Sequence, residues 1–228
     1  MIKDRLEMVR KRIQRAAEAC GRNTNDVHLV AVSKTMPREK LVQAVEAGVT
    51  VLGENYVQEA REKFNDLYTL PVSWHFIGHL QSNKAKYVVN IFDLIHSVDS
   101  VKLAREIDKQ AKKINKIQDI LIQVNIAGEA SKSGIRADDA LSVIRDISGL
   151  EHIAVKGLMT MPPYFNAPEK VRPYFKALRE LRDRIDAEHI ENVSLDDLSM
   201  GMTGDFEAAI REGATLVRIG TAIFGERN

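Results

Sequence analysis

The chain has almost no net charge and only one cysteine, and each scarcity excludes a class of protein. Its 33 Lys and Arg residues nearly cancel its 32 Asp and Glu residues, so no global field attracts nucleic acid or anionic lipid. Cys20 alone can form no internal disulfide, which is typical of a reducing compartment. We therefore expect a cytoplasmic protein that binds neither nucleic acid nor membranes, in which any phosphate is bound by local groups.

Long apolar runs and clustered metal ligands are also missing. No segment approaches the roughly 20 apolar residues that span a bilayer, and charges interrupt the first residues, so we expect no signal peptide. The histidines are scattered and one cysteine cannot build a thiolate site, so no metal site is predicted. Neither a Gly-x-Ser-x-Gly elbow nor a Walker loop occurs.

What the sequence contains is an alternation of short apolar runs and amphipathic segments. Apolar residues at helical spacing predict an opening helix that ends near Gly21. Strands are then predicted at Val27–Ser33, Val49–Leu52, Ser73–Ile77, Leu94–Val98, Ile120–Ile126, Ala154–Met159, Asp197–Met200 and Leu216–Ile219. Helical patterns between them indicate parallel strands joined by crossovers. We predict one domain over residues 1–228, a (β/α)8 TIM-type barrel with an extra N-terminal helix.

An open, doubly wound sheet is the alternative architecture. That fold normally has a glycine-rich turn after its first strand. Here the corresponding residues, 33–37, read Ser-Lys-Thr-Met-Pro and include no glycine. The sequence therefore favours the closed barrel.

Functional residues of such barrels collect at the C-terminal ends of the strands, and Lys34 follows the first strand directly. Burial disfavours the charged form of a lysine, and a neutral amine is a nucleophile toward aldehydes. The alternative is a structural lysine that extends to the rim of the barrel or pairs with a carboxylate. Position alone leaves both interpretations open.

Two further loops favour an anion. Small residues in Ser199–Asp205 let backbone N–H groups point at an anion beside a helix N-terminus. After the eighth strand, Gly220 allows close approach and the Thr221 hydroxyl can donate, while Arg218 is a charge near a core strand that needs a partner. The alternatives are ordinary helix capping and a structural salt bridge.

The segment Trp74–Lys84 runs from a strand into a polar loop. His79, after Gly78, is the better site candidate in it, whereas His75 is as consistent with a hydrogen-bonded core histidine as with a functional one.

Taken together, these segments resemble the pyridoxal phosphate homeostasis proteins, the YggS/PROSC group, over essentially the whole chain. The matching pieces are Ala31–Lys34, Gly53–Tyr56, Trp74–Lys84, Ser131–Gly134, Ser199–Met202 and Val217–Gly225. Thr203 stands where this family usually has serine, and the hydroxyl is retained.

The resemblance implies a barrel like the N-terminal domain of alanine racemase, with pyridoxal 5'-phosphate (PLP) held as a Schiff base on Lys34. It implies that Arg218 contacts the pyridine nitrogen, which weakens the cofactor as an electron sink. Gly220, Thr221 and Ser199 would bind the phosphate. The other cofactor contacts that we predict are Asn55, His79, Met200, Gly201 and Thr203.

The function implied is that of a carrier or buffer of PLP without established turnover, with apo PLP-dependent enzymes as possible recipients. A PLP-dependent racemase or decarboxylase is the alternative. Alanine racemase takes a catalytic tyrosine from a C-terminal β-domain, and no tyrosine obviously replaces it among Tyr56, Tyr68, Tyr87, Tyr164 and Tyr174. The missing domain also favours a monomer. A Schiff-base aldolase for sugar phosphates would not account for Trp74–Lys84.

Lys132 lies in a small, polar stretch after the fifth strand, bracketed by Gly128 and Gly134. We predict a mobile loop whose lysine reaches toward the phosphate or takes part in delivery of the cofactor. A solvated surface lysine is the alternative.

Overall fold

The structure is a computed structural model that describes residues 1–129, 132–163 and 165–226. Its strands are His28–Val32 (β1), Val51–Glu54 (β2), Ser73–Phe76 (β3), Leu94–Val98 (β4), Gln118–Asn125 (β5), Ile135–Arg136 (β6), Ile153–Met159 (β7), Val193–Met202 (β8) and Leu216–Ile219 (β9). Its helices are Ile2–Ala19 (α1), Arg38–Glu46 (α2), Val57–Leu67 (α3), Ala85–Val88 (α4), Val101–Lys113 (α5), Ala140–Ile147 (α6), Arg172–Asp186 (α7), Phe206–Arg211 (α8) and Thr221–Phe224 (α9). Two of the residues named above, Ser131 and Tyr164, lie outside the described residues.

Eight of these strands close a parallel barrel. They follow one another around the ring in the order β1, β2, β3, β4, β5, β7, β8, β9, and β9 pairs with β1. The short strand β6 pairs in parallel with β5 beside this ring. Because all the pairings are parallel, the carboxyl ends of the eight strands meet at one mouth of the barrel. The predicted (β/α)8 barrel with an additional N-terminal helix is confirmed.

Each predicted strand is present; the differences are the strand ends and the short strand β6, which was not predicted. The second strand begins and ends two residues later than predicted, so Glu54 belongs to it. The seventh barrel strand, β8, is longer than predicted and runs from Val193 to Met202. Its first residues include the polar side chains Ser194, Asp196 and Asp197, so this part of the strand forms no apolar run in the sequence.

The apolar core has two parts. The larger part lies between the strands and the helices, where amphipathic helices such as α5 bury Leu103, Ala104, Ile107 and Ala111 on one face. The smaller part fills the barrel and consists of Val30, Ile77, Leu94, Leu121, Met159 and Leu216. Several buried polar side chains share the barrel interior with this second cluster, and they bear on the site described below.

The apolar stripe of α1 is covered by the chain's own helices rather than by a partner. Leu6, Val9 and Ile13 are buried, and α1 packs against α2, α8 and α9. After it, the Arg22 guanidinium donates to the carbonyl oxygens of Ile210 and Ala214, both at 2.8 Å. None of the helices in the described ranges has the length and apolar character needed to cross a bilayer.

Candidate functional site

A cavity of about 390 Å³ lies at the amino-terminal mouth of the barrel, and one of about 440 Å³ lies at the carboxyl-terminal mouth. The second is the candidate site, because functional groups of such barrels gather at that mouth, and its volume suits a small ligand. Six of the ten predicted site residues line it: Lys34, Asn55, Thr203, Arg218, Gly220 and Thr221. The topology explains this convergence, since each of the six lies at or near the end of β1, β2, β8 or β9.

The residues on either side of Lys34 are fixed by contacts from α3. Thr35 has a φ of 63°, in the left-handed region that a β-branched residue rarely adopts. Its backbone N–H donates to Glu59 Oε1. The carbonyl oxygen of Ser33 accepts from Lys63 Nζ at 2.7 Å. The half-buried Lys34 is therefore held at the rim of the cavity by a backbone that these contacts stabilise.

A buried ionic cluster underlies this loop. Lys63 Nζ lies 2.7 Å from one carboxylate oxygen of Glu54 and of Glu59, and the Ser33 hydroxyl donates to Glu54 at 2.6 Å. Burial raises the pKa of Glu54, and the positive charge of Lys63 acts against that rise. The cluster links the ends of β1 and β2 to α3, so it positions the loop without lining the cavity itself.

Arg218 is the buried cation of the site. Its guanidinium donates from Nη1 to Ser199 Oγ and from Nη2 to the carbonyl oxygen of Thr160, the latter at 2.9 Å. Within the described ranges no carboxylate lies within 4 Å of it, so the structural salt bridge considered above is not present there. Burial lowers the pKa of Arg218 to about 10, with Asp205 acting in the opposite direction. It remains charged at neutral pH and has donors left for a ligand in the cavity.

Two threonines face each other beside Arg218. The hydroxyl of Thr221 donates to that of Thr203 at 3.3 Å, which brings β8 and β9 together at the mouth. A Cβ added to Gly220 would lie 3.3 Å from the carbonyl oxygen of Val32, so a larger residue would crowd the backbone there. The two threonine hydroxyls and Gly220 form a small polar corner of the cavity.

Four predicted site residues lie elsewhere. His79 is 59% exposed, with Nδ1 3.6 Å from the Asp99 carboxylate. Ser199 is fully buried, and its hydroxyl bonds to His96 and Arg218, so the geometry does not support it as a phosphate donor. Met200 belongs to the core between strands and helices. Gly201 has a φ of 91°, and an added Cβ would lie 2.6 Å from Ala209 Cβ, so it serves close packing against α8.

Lys132 lies near the cavity without lining it. Its Nζ is 3.4 Å from the carbonyl oxygen of Met161, a lining residue, and 3.4 Å from Glu129 Oε1. The side chain is 30% exposed. The predicted position at the functional mouth is therefore observed, and the predicted role stays a prediction.

The sequence matches the family described as "Alanine racemase, N-terminal domain" over residues 5–228. A pyridoxal phosphate homeostasis protein of Aquifex aeolicus is 50% identical over 224 residues, covering 98% of this chain and 97% of the relative. One from Vibrio alginolyticus is 41% identical over 231 residues, covering 100% and 98%. The chain belongs to the pyridoxal phosphate homeostasis protein family.

Solved structures agree with this family. PipY of Synechococcus elongatus, solved without PLP, is 34% identical with a TM-score of 0.89, covering 99% of this chain and all of PipY. The PipY structure with PLP bound is 33% identical with a TM-score of 0.86 and the same coverage. Alanine racemase of Clostridium difficile, at 16% identity and a TM-score of 0.70, shares the fold over 57% of its length.

Several residues that line the cavity, or that support the residues lining it, were not predicted from the sequence. Lys63 interrupts the apolar face of α3, and His96 lies in the middle of a strand that is buried throughout. A charged or polar residue inside an apolar pattern was the available signal in both cases. Met161, Phe165 and Asn166 line the cavity from the loop after β7, where no periodic pattern exists to indicate them.

Proposed function

We propose that the chain holds PLP as a Schiff base on Lys34 in the carboxyl-terminal cavity and serves as a carrier or buffer of the cofactor. As a member of the pyridoxal phosphate homeostasis family, it binds PLP and takes part in PLP homeostasis. We further propose that residues 1–228 act as one domain, a cytoplasmic monomer that delivers PLP to apo PLP-dependent enzymes. The single cysteine supports the cytoplasmic assignment.

The observation that carries the proposal is that Lys34 and Arg218 line one cavity from neighbouring strands. Val30 of β1 is in register with Arg218 of β9, and Lys34 follows β1. The Lys34 amine adds to the cofactor aldehyde with loss of water, which forms the imine. Arg218 offers hydrogen-bond donors to the pyridine nitrogen, and the corner formed by Thr203, Gly220 and Thr221 receives the phosphate.

The charge of Arg218 also limits the chemistry that bound PLP would supply. Bound PLP supplies an electron sink when its ring nitrogen is protonated. A guanidinium that stays charged at neutral pH opposes a second positive charge at that nitrogen. We therefore expect holo-protein incubated with L-alanine to show no racemisation or decarboxylation near ordinary enzyme rates of about 1 s⁻¹. Turnover at such rates would favour the racemase or decarboxylase interpretation instead.

The direct test is a visible absorption spectrum before and after borohydride reduction, followed by peptide mapping. We expect a pyridoxyl group on Lys34 and no fixed label in Lys34→Ala. Lys109→Ala, which removes an exposed lysine that does not line the cavity, is the matched control and should label as the parent does. A label found only on other lysines would contradict the assignment.

A further inference from the structure

The polar interior of the barrel contains an unbroken chain of hydrogen bonds between its two mouths. Arg218 lines the carboxyl-terminal cavity and bonds to Ser199 Oγ. Ser199 Oγ lies 2.8 Å from His96 Nδ1, and His96 Nε2 lies 2.9 Å from His75 Nδ1. His75 in turn lines the amino-terminal cavity. The two central side chains, Ser199 and His96, are fully buried, so water contributes little to satisfying them.

Arg218 fixes the direction of every bond in this chain. A guanidinium can only donate, so Ser199 Oγ accepts from it. Within the described ranges, His96 Nδ1 is the acceptor left for the Ser199 O–H, and an unsatisfied buried hydroxyl is costly. His96 Nδ1 must therefore be unprotonated, and the proton of the neutral ring sits on Nε2 and is donated to His75 Nδ1. By the same reasoning, the proton of a neutral His75 sits on its own Nε2.

The electrostatics of the barrel interior keep both rings neutral. Burial lowers the pKa of His75 to about 4. Burial lowers the pKa of His96 well below its ordinary value, and His75 and Arg218 lower it further. The neutral dipoles therefore all turn their negative ends toward the guanidinium, which has no carboxylate within 4 Å among the described residues. This alignment stabilises the buried cation without an ion pair.

We infer that His96 and His75 are positioning residues for Arg218: through Ser199 they form a one-way hydrogen-bond chain, both held as Nε2–H tautomers, that orients the guanidinium toward the cavity. The inference depends on the proposed function in one respect, which is that Arg218 faces the ring nitrogen of PLP. The tautomers and the orientation of Arg218 are properties of the PLP-free protein.

The first test is a long-range ¹H–¹⁵N correlation spectrum of PLP-free protein labelled in histidine. We expect His96 and His75 as neutral Nε2–H tautomers at neutral pH, assigned through His96→Asn and His75→Asn. Ser199→Ala removes the donor to His96 Nδ1, so His96 should then show a mixture of tautomers. Ser97→Ala is the matched control, since Ser97 is buried beside His96 but its hydroxyl bonds to no group among the described residues. An Nδ1–H tautomer or an imidazolium at His96 in the parent would overturn the inference.

The second test is the affinity for PLP. His96→Leu removes the acceptor and should weaken binding about threefold to tenfold and shift the absorption maximum. His96→Asn offers an amide oxygen near the position of Nδ1 and should restore binding to within about twofold of the parent. Equal weakening by the two variants would make His96 a packing residue and overturn the inference. Failure of the parent to bind PLP would instead contradict the proposed function and leave the tautomer result standing.

Discussion

At the scale of single residues, the site combines a buried charge with groups that keep their hydrogen-bonding capacity. Two N–H groups of Arg218 donate to neutral oxygens, those of Ser199 and Thr160, and its other N–H groups are available to a ligand. The Thr221 hydroxyl donates to that of Thr203 at the same mouth. A ligand with an anionic end and a neutral acceptor therefore meets a matching donor at each end.

The Thr221 hydroxyl should matter for affinity more than for folding. Thr221 is exposed, so Thr221→Val loses little packing. A hydrogen bond to a charged group is worth about 1.5–3 kcal/mol, and we expect PLP to bind roughly tenfold more weakly or worse. Equilibrium titration with PLP measures this, with Thr69→Val, an exposed threonine that does not line the cavity, as control. Unchanged affinity in Thr221→Val would count against this corner as the phosphate site.

At the scale of elements, the loop after β1 depends on α3. Lys63 contacts the carboxylates of Glu54 and Glu59 and donates to the carbonyl oxygen of Ser33. Glu59 in turn accepts from the backbone N–H of Thr35, whose φ is positive. Helix α3 therefore positions the backbone on both sides of Lys34, although it does not itself line the cavity.

Lys63→Met should be strongly destabilising, because it leaves Glu54 buried without its cation. Removing one partner of a buried ion pair costs about 3–5 kcal/mol, and urea denaturation should show a loss of that order. The double variant Lys63→Met with Glu54→Gln removes both charges and should recover much of it. A single variant as stable as the parent would mean that the cluster does not hold the loop.

The loop after β5 gives a kinetic prediction. Lys132 Nζ lies 3.4 Å from the carbonyl oxygen of a lining residue, Met161, near enough for its side chain to meet a departing phosphate. We expect Lys132→Ala to change the rate of PLP transfer to an apo-enzyme acceptor, with the equilibrium affinity measured separately. Lys102→Ala serves as control. If neither rate nor affinity differs from the parent, Lys132 is only a surface charge.

At the scale of the whole molecule, a barrel interior with a polar layer makes stability depend on pH. The folded state holds His75 neutral, with its pKa near 4 against an ordinary value of 6.5. Between these two values the unfolded chain binds more protons than the folded one, so stability is fully present above about pH 6.5 and is lost as pH falls toward 4.

The size of this loss can be measured by urea unfolding of PLP-free protein at about pH 7.5 and about pH 5. The contribution of His75 alone corresponds to roughly 2 kcal/mol over that interval. Burial raises the pKa values of Glu54, Asp197 and Asp205 in the folded state. Their protonation therefore stabilises the folded state as the pH falls, which opposes the loss of stability caused by His75. His75→Asn should therefore show a clearly smaller pH dependence than the parent, and an equal dependence would contradict the neutral, buried His75.

The sequence by itself indicated the eight strands of the barrel, their closure and six residues of the cavity, but not the short strand β6. An alternation of apolar strands and amphipathic helices is compatible with few folds other than a parallel barrel. In such a barrel the carboxyl ends of all the strands meet at one mouth, whatever the details of side-chain packing. Lys34, Arg218, Gly220 and Thr221 are therefore readable from their positions after β1 and in or after β9.

Only the tertiary structure decided which way the side chains of β8 and the polar interior residues face. The register of β8 against β9 shifts between Ser199 and Met202, so strict alternation fails there: Ser199 meets Arg218 inside the barrel, Gly201 packs on α8, and Met202 lines the cavity. Lys63 and His96 likewise find partners 30 and 103 residues away. Such contacts depend on register and three-dimensional packing, which local periodicity does not encode.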